Sequence, residues 1–190
     1  MKKHIAGWLL SMAVSGAALA SDLADATYSQ WVSDTGEITL PDNFRRDWVH
    51  LGSWLVADES APGYGFHDVY TQPQSLAHYT RTGNFPDGAV LVKEVRSVEA
   101  GAKTTGHAQW AAAPWIWFVM VKDSSGVRFP NHPHWGLGWG GSLHEAAAPK
   151  QNVSVSYRET CLACHTPAKD TDWVFIEGYP SLAPPVVAPP

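Results

Sequence analysis

Five residues near the end of the chain, Cys161-Leu162-Ala163-Cys164-His165, constrain it more than any other feature. Cys-x-x-Cys-His is the attachment signal for a c-type haem: two thiols add to the porphyrin vinyl groups and the adjacent imidazole binds the iron. Two other chemistries use parts of the pattern. A thioredoxin-like redox pair wants a βαβ setting and has no use for the histidine. Half a zinc site, to which His132 or His134 would add ligands, lacks a second cysteine pair. The motif therefore assigns Cys161 and Cys164 to haem attachment and His165 to the axial position on iron. The chain has no other cysteine, so no disulfide braces the fold.

Residues 1–20 read as an export signal. Met1-Lys2-Lys3-His4 is a short basic head, residues 5–17 are apolar with small residues interspersed, and Ala18-Leu19-Ala20 is an A-x-A cleavage site. The mature chain is expected to start at Ser21, with residues 21–182 as a single haem-binding domain. Residues 183–190 are proline-rich and are expected to form a loose tail. No stretch approaches the ~20 apolar residues of a membrane-spanning helix. A periplasmic location suits the motif, because c-type haem is normally attached outside the cytoplasmic membrane.

About 170 residues then remain, enough for one domain with a real core. Without Lys2 and Lys3, the 13 basic side chains fall to 11 against 18 acidic ones, a formal charge of −7. That balance argues against nucleic acid or anionic lipid and is compatible with steering a basic protein partner. Nine of the ten tryptophans follow residue 20, which points to a core of large aromatic anchors.

Along the chain, Glu37-Ile38-Thr39-Leu40 reads as a short strand. Pro41-Asp42-Asn43 caps a helix with Phe44 and Trp48 on one face. Residues 50–56 and 66–70 read as strands. Thr71-Gln72-Pro73-Gln74 has the capping-box pattern, and the helix it opens should end near Gly83. Residues 89–98 alternate with period 2. Ala89, Leu91, Lys93, Val95 and Ser97 share one face, with Val90, Val92, Glu94, Arg96 and Val98 on the other. Lys93 thus sits between Leu91 and Val95, an expensive place for an ammonium group unless the strand is an edge from which it snorkels to water.

Residues 115–121 are apolar on both faces, the mark of a doubly covered strand. Trp135-Gly136-Leu137-Gly138-Trp139-Gly140 reads as a strand with one bulky and one bare face, where an aromatic ring or a flat ligand approaches. A further strand is expected at Val153-Ser154-Val155, then a polar helical turn into Cys161. Trp173-Val174-Phe175-Ile176 would close the core. Met120, the only methionine after residue 20, lies in the apolar strand and reads as packing rather than as an iron ligand. His50, His67, His78, His107, His132, His134 and His144 have no context that marks one as a sixth ligand. The residues favour an open, aromatic-walled site for small molecules over a plain electron carrier.

Four segments together resemble the cytochrome P-460 family, which also includes the cytochromes c′-beta. They are Leu40-Pro41-Asp42-Asn43-Phe44-Arg45-Arg46-Asp47-Trp48, then His67-Asp68-Val69-Tyr70, then Thr82-Gly83-Asn84-Phe85-Pro86-Asp87-Gly88-Ala89-Val90-Leu91-Val92-Lys93-Glu94, and lastly the Cys161–His165 motif. The resemblance runs over residues 37–179. It implies an α+β fold, mainly antiparallel β-sheet with a few helices, with covalent haem c near the C-terminus and assembly as a homodimer. It also implies a five-coordinate iron whose distal side takes a small nitrogen-containing substrate or ligand. In hydroxylamine-oxidising members a lysine is bonded to a meso carbon of the haem, and Lys93 matches that lysine. Desolvation lowers a lysine's pKa, and only the neutral amine is a nucleophile. A soluble cytochrome would accept the electrons of such an oxidoreductase. The c′-beta members lack the cross-link, have an apolar distal pocket often capped by phenylalanine, and bind nitric oxide; Trp115 and Trp117 are candidates to line such a pocket. An oxidising site also calls for a distal carboxylate. Glu159 is too close to Cys161 for an easy match and Glu145 lies further back, so the proton acceptor is unassigned.

Overall fold

The alternating stretch at 89–98 belongs to one of two long strands at the centre of a single antiparallel sheet. The computed structural model describes residues 24–28 and 30–182, so the export signal and the proline-rich tail lie outside the described residues. The strands are β1 (Val49–Val56), β2 (Gly65–Thr71), β3 (Val90–Lys103), β4 (Gly106–Lys122), β5 (Trp135–Gly136) and β6 (Trp139–Glu145). They form a six-stranded sheet in the order β1-β2-β3-β4-β6-β5. All neighbours run antiparallel. Among the described residues, helical residues at 24–28 and 30–31, the helices α1 (Phe44–Asp47) and α2 (Pro73–Thr82), and a run of helical turns from Tyr157 to Thr171 complete an α+β fold. Among the described residues no helix is long and apolar enough to cross a membrane.

Both faces of the sheet are covered. On one, Ala24, Tyr28, Ile38 and Phe44 pack against Val90, Val92, Trp117 and Val119. On the other, Tyr157, Val174, Tyr179 and Leu182 from the C-terminal segment pack against Leu51, Val69, Leu91 and Trp139. Double coverage is why residues 115–121 lack a polar face. The two faces of β3 are the ones its alternation predicts: Val90 and Val92 join the first cluster, Leu91 the second.

Four local expectations change. At 37–40 a lone bridge, Val32 to Ile38, replaces the strand. The capping box at Thr71 does not form. Thr71 ends β2 opposite Leu91, its hydroxyl donates to the Val90 carbonyl at 2.7 Å, and Gln72 takes the N-cap. Pairing with β3 holds that hydroxyl inside the sheet, out of reach of the helix. Gly83 does terminate α2, in the left-handed region at φ 75° with its N–H on the Tyr79 carbonyl. The expected strand at 135–140 is broken by a two-residue turn, since Leu137 and Gly138 both have positive φ, 54° and 82°. Residues 153–155 pair with no strand; only the Val153 N–H reaches the sheet, donating to the Leu143 carbonyl at 2.8 Å.

A buried charge braces the first face. Glu94 is fully buried and accepts from the Trp117 indole at 2.8 Å and from Arg45 Nε at 3.0 Å, with Arg45 Nη2 closing a second contact. This fork ties α1 to the middle of β3 and β4. Removing the carboxylate strands a buried indole N–H and a guanidinium, so Glu94→Ala is expected to cost about 3 kcal/mol. Glu94→Gln keeps one acceptor and should cost less. Denaturant unfolding of the two variants measures the difference.

Candidate haem-binding face

The Cys-x-x-Cys-His segment reaches the sheet through two glycines. Ser156 caps the π-helical turn Tyr157–Leu162, its hydroxyl accepting the Glu159 N–H at 3.1 Å, and the Tyr157 N–H donates to the Pro133 carbonyl at 2.8 Å. A Cβ on Gly136 would lie 2.9 Å from the Tyr157 ring, and one on Gly141 would lie 2.8 Å from Cys161 Sγ. The bare positions of β5 and β6 are thus a seat for the motif, with an aromatic ring on one and a haem-motif sulfur on the other. Cys161 is half-buried and Cys164 exposed. Burial raises the Cys161 thiol to about 11, so it is held uncharged.

His165 is aimed by a backbone carbonyl. Its Nδ1 donates to the Trp173 carbonyl at 2.7 Å, which leaves the Nε2 lone pair free for a metal. Burial pushes its pKa down, the Trp173 carbonyl opposes that shift, and Lys93 adds to it. The neutral imidazole, the form that ligates iron, is therefore favoured. Trp173 and the preceding Asp172 both lie in the left-handed region, at φ 66° and 56°. For a bulky residue this conformation costs on the order of 1–2 kcal/mol. A buried ion pair holds it: Lys122 Nζ is 2.5 Å from Asp172 Oδ1, while Oδ2 accepts the Phe85 N–H at 2.8 Å.

Lys93 lies on the same face. β3 is interior, flanked by β2 and β4, so the edge-strand account of this lysine does not hold. Its cross-strand neighbours are Val69 and Phe118, and its ammonium stands 4.2 Å from the Phe118 ring centroid. Burial lowers its pKa; the cysteine sulfurs pull the other way, which places Lys93 and the Cys161–Cys164 pair in one electrostatic neighbourhood.

The register sorts the remaining candidates. Phe118 faces Lys93, so Trp117 points to the opposite face, where it is bound to Glu94; Trp115 falls at a bulge between the Ile116 and Pro114 pairings and is 40% exposed. Met120 packs on the haem-side cluster. Glu145 is exposed on the face of Lys93, one row along through Ile116 and Val95, and Glu159 is exposed in the turn before Cys161. His67 shares the Lys93 face, paired with Val95, and its Nε2 bonds the Gly63 carbonyl at 2.6 Å. His144 is buried on the other face beside Ser142, and His50 stacks on Tyr70. His78 lies on α2 and His107 near the tip of the β3–β4 hairpin, while His132 and His134 meet Glu37 rather than the cysteines.

The residues present fit haem c. Two unpaired thiols and an imidazole with a free Nε2 converge on one apolar face, and a glycine leaves room for the first thiol. On that face the Trp54 and Trp139 indoles and the Tyr157 hydroxyl are buried without a protein hydrogen-bond partner. Buried donors require acceptors, and the two haem propionates are acceptors of that kind.

Phe118, the Trp173 carbonyl and the Lys122–Asp172 pair are absent from the sequence reading. The period-2 pattern at 115–121 separates Phe118 from Trp115 and Trp117, but only the pairing with β3 shows which set meets Lys93. The other two carry no sequence signal. Asp172→Ala strands a buried ammonium and is expected to destabilise by about 3 kcal/mol or more. It should also loosen His165. Asp172→Asn, which keeps an acceptor for the Phe85 N–H, should fall between, by denaturant unfolding.

No curated protein matches the chain. The sequence model of the Cytochrome P460 family matches residues 41–176, from the start of the α1 region to the core-closing segment after the haem motif. The chain belongs to the cytochrome P460 family, a family of haem c proteins.

Proposed function

We propose that this chain is a periplasmic haem enzyme that oxidises hydroxylamine to nitrogen oxides, with Lys93 bonded to the haem. Cys161 and Cys164 would hold the haem through thioethers, and His165 Nε2 would ligate its iron. Haem c would supply redox-active iron able to bind a small nitrogen compound, and a soluble cytochrome would take the electrons. The observation that carries the reading is the setting of Lys93, an interior-strand lysine whose ammonium is disfavoured by burial beside the haem-attachment cysteines. The cysteine sulfurs are the groups that favour its charged form. Burial favours the neutral amine, the form that would add to a porphyrin edge oxidised by two electrons and give up an N–H proton.

A nitric-oxide-binding cytochrome of the c′-beta type is the second reading, favoured by Phe118, an aromatic cap on the Lys93 face. In that case Lys93 rests on the Phe118 ring as an unmodified amine. Both readings accommodate a homodimer.

Chemical analysis of the haem separates them. A Lys93 bond alters porphyrin conjugation, so the denatured protein is expected to give no ordinary c-type haemochrome, and proteolysis should release one haem peptide joining residues 161–165 to the strand around Lys93. Lys93→Ala should restore the ordinary spectrum with haem still attached. An ordinary haemochrome together with an unmodified Lys93 peptide in the parent protein would sink the cross-link. Cys161→Ala with Cys164→Ala in a Lys93→Ala background is expected to lose haem on denaturation and organic extraction. In steady state with an artificial electron acceptor, the parent should turn over hydroxylamine and Lys93→Ala should not. Absence of turnover in the parent with tight nitric oxide binding selects the second reading.

A further inference from the structure

Away from the haem-bearing face, the turn before α1 and the loop after β4 bring three metal-ligating side chains together. His132 Nε2 lies 3.1 Å from Glu37 Oε1, and His134 Nδ1 lies 3.7 Å from Glu37 Oε2. One ligand atom from each of Glu37, His132 and His134 falls within 4.8 Å of the other two. Two imidazoles and a carboxylate at such spacing are a donor set for zinc-type ions, whereas calcium and magnesium take oxygen ligands.

Several contacts away from the proposed ligand atoms help to hold the cluster in place. His134 Nε2 donates to the Ser154 carbonyl at 3.1 Å, which fixes the tautomer and leaves Nδ1 as the lone pair facing Glu37. Metal-bound imidazoles are oriented by this kind of outer contact. The Asn152 amide, 3.1 Å from the same Nδ1, is the proton donor a cation would displace. The Trp135 indole donates to the Gly36 carbonyl at 2.7 Å, joining the turn to the loop next to the ligands. Gly36, at φ 94°, packs so closely that a Cβ there would lie 3.2 Å from the His132 ring. The imidazole side chains are 14% and 11% exposed while Glu37 is 51% exposed, so the site opens to solvent on the carboxylate side only. Ligation by His132 Nε2 requires the Nδ1–H tautomer, at the loss of one 3.2 Å hydrogen bond from the His134 amide.

We propose that Glu37, His132 and His134 form a binding site for a divalent zinc-type metal ion, with three protein ligands and a fourth position open to water. The ion fastens the segment before α1, whose Ile38 packs into the first core cluster, to the loop that leads into β5. The site lies across the sheet from the haem motif. On neighbouring positions of β6, Gly140 meets Ile38 and Trp135 on one side while Gly141 meets Cys161 on the other.

The test is calorimetric titration of the haem-loaded mature protein, stripped with EDTA and desalted, with zinc chloride. A saturable one-to-one isotherm is expected, with magnesium chloride giving no heat. Glu37→Gln should weaken zinc binding at least about tenfold, and His132→Gln should abolish it. Zinc should raise the thermal midpoint of the parent but not of His132→Gln. Absence of a saturable isotherm in the parent overturns the site and leaves a histidine–carboxylate clasp. An isotherm unchanged in both variants overturns it too, since zinc is then held elsewhere. Should His132→Gln fail to fold, Glu37→Gln, altered at a half-exposed side chain, carries the comparison alone.

Discussion

The haem-bearing half of this molecule hangs on the buried ion pair between Lys122 and Asp172. The segment that carries Cys161, Cys164 and His165 contributes no strand, so its hold on the sheet is made of side-chain packing and a few directed bonds. Lys122 closes β4, Asp172 follows the last helical turn, and their contact brings the far end of the haem segment back onto the sheet. A buried pair of this kind adds little net stability compared with an apolar replacement, but it is costly to break and specific in geometry. Here the geometry is what matters, because the next residue, Trp173, supplies the carbonyl that orients His165. Two consecutive left-handed residues are tolerated because Asp172 is tied at both oxygens and the Trp173 N–H is bonded to the Ala168 carbonyl at 2.8 Å.

The sheet serves two unlike faces at once. On the first, Glu94 collects Arg45 and Trp117 and fixes α1 over an apolar core. On the second, one residue earlier, Lys93 stands among Val69, Phe118 and the haem-motif cysteines. The strand's period of two puts oppositely charged neighbours on opposite faces. The acid is satisfied by a charge-assisted fork, whereas burial destabilises the lysine's charge and its ammonium rests against the Phe118 ring. A satisfied buried charge builds structure; an unsatisfied buried amine is suited to chemistry.

Glycine at β5 and β6 divides the molecule a second time. Gly136 and Gly141 admit Tyr157 and Cys161 from the haem side, and Gly140 admits Ile38 and Trp135 from the other. The thin strand lets two covering layers approach the same backbone. It accounts for a His-x-His pair that is adjacent in chain to the haem-motif seat yet turned towards Glu37.

Much of this was legible in the residues because it depends on local chemistry or on period. The spacing of Cys161, Cys164 and His165, the two faces of β3, the doubly covered run at 115–121 and the glycine end of α2 need no distant partner to be read. What failed locally failed to competition: Thr71 was held by the sheet rather than by the helix start, and Leu137-Gly138 turned the chain where alternation predicted a straight strand. Strand order and register belong to the tertiary structure alone. They make Lys93 an interior residue rather than an edge residue, and they choose Phe118 over Trp115 and Trp117 as its neighbour. The acceptor for His165 is a main-chain carbonyl that every residue possesses, and the partner of Lys122 lies fifty positions away. Side-chain identity states which chemistry a chain can carry, whereas its placement depends on long-range pairing energies that no short window of sequence contains.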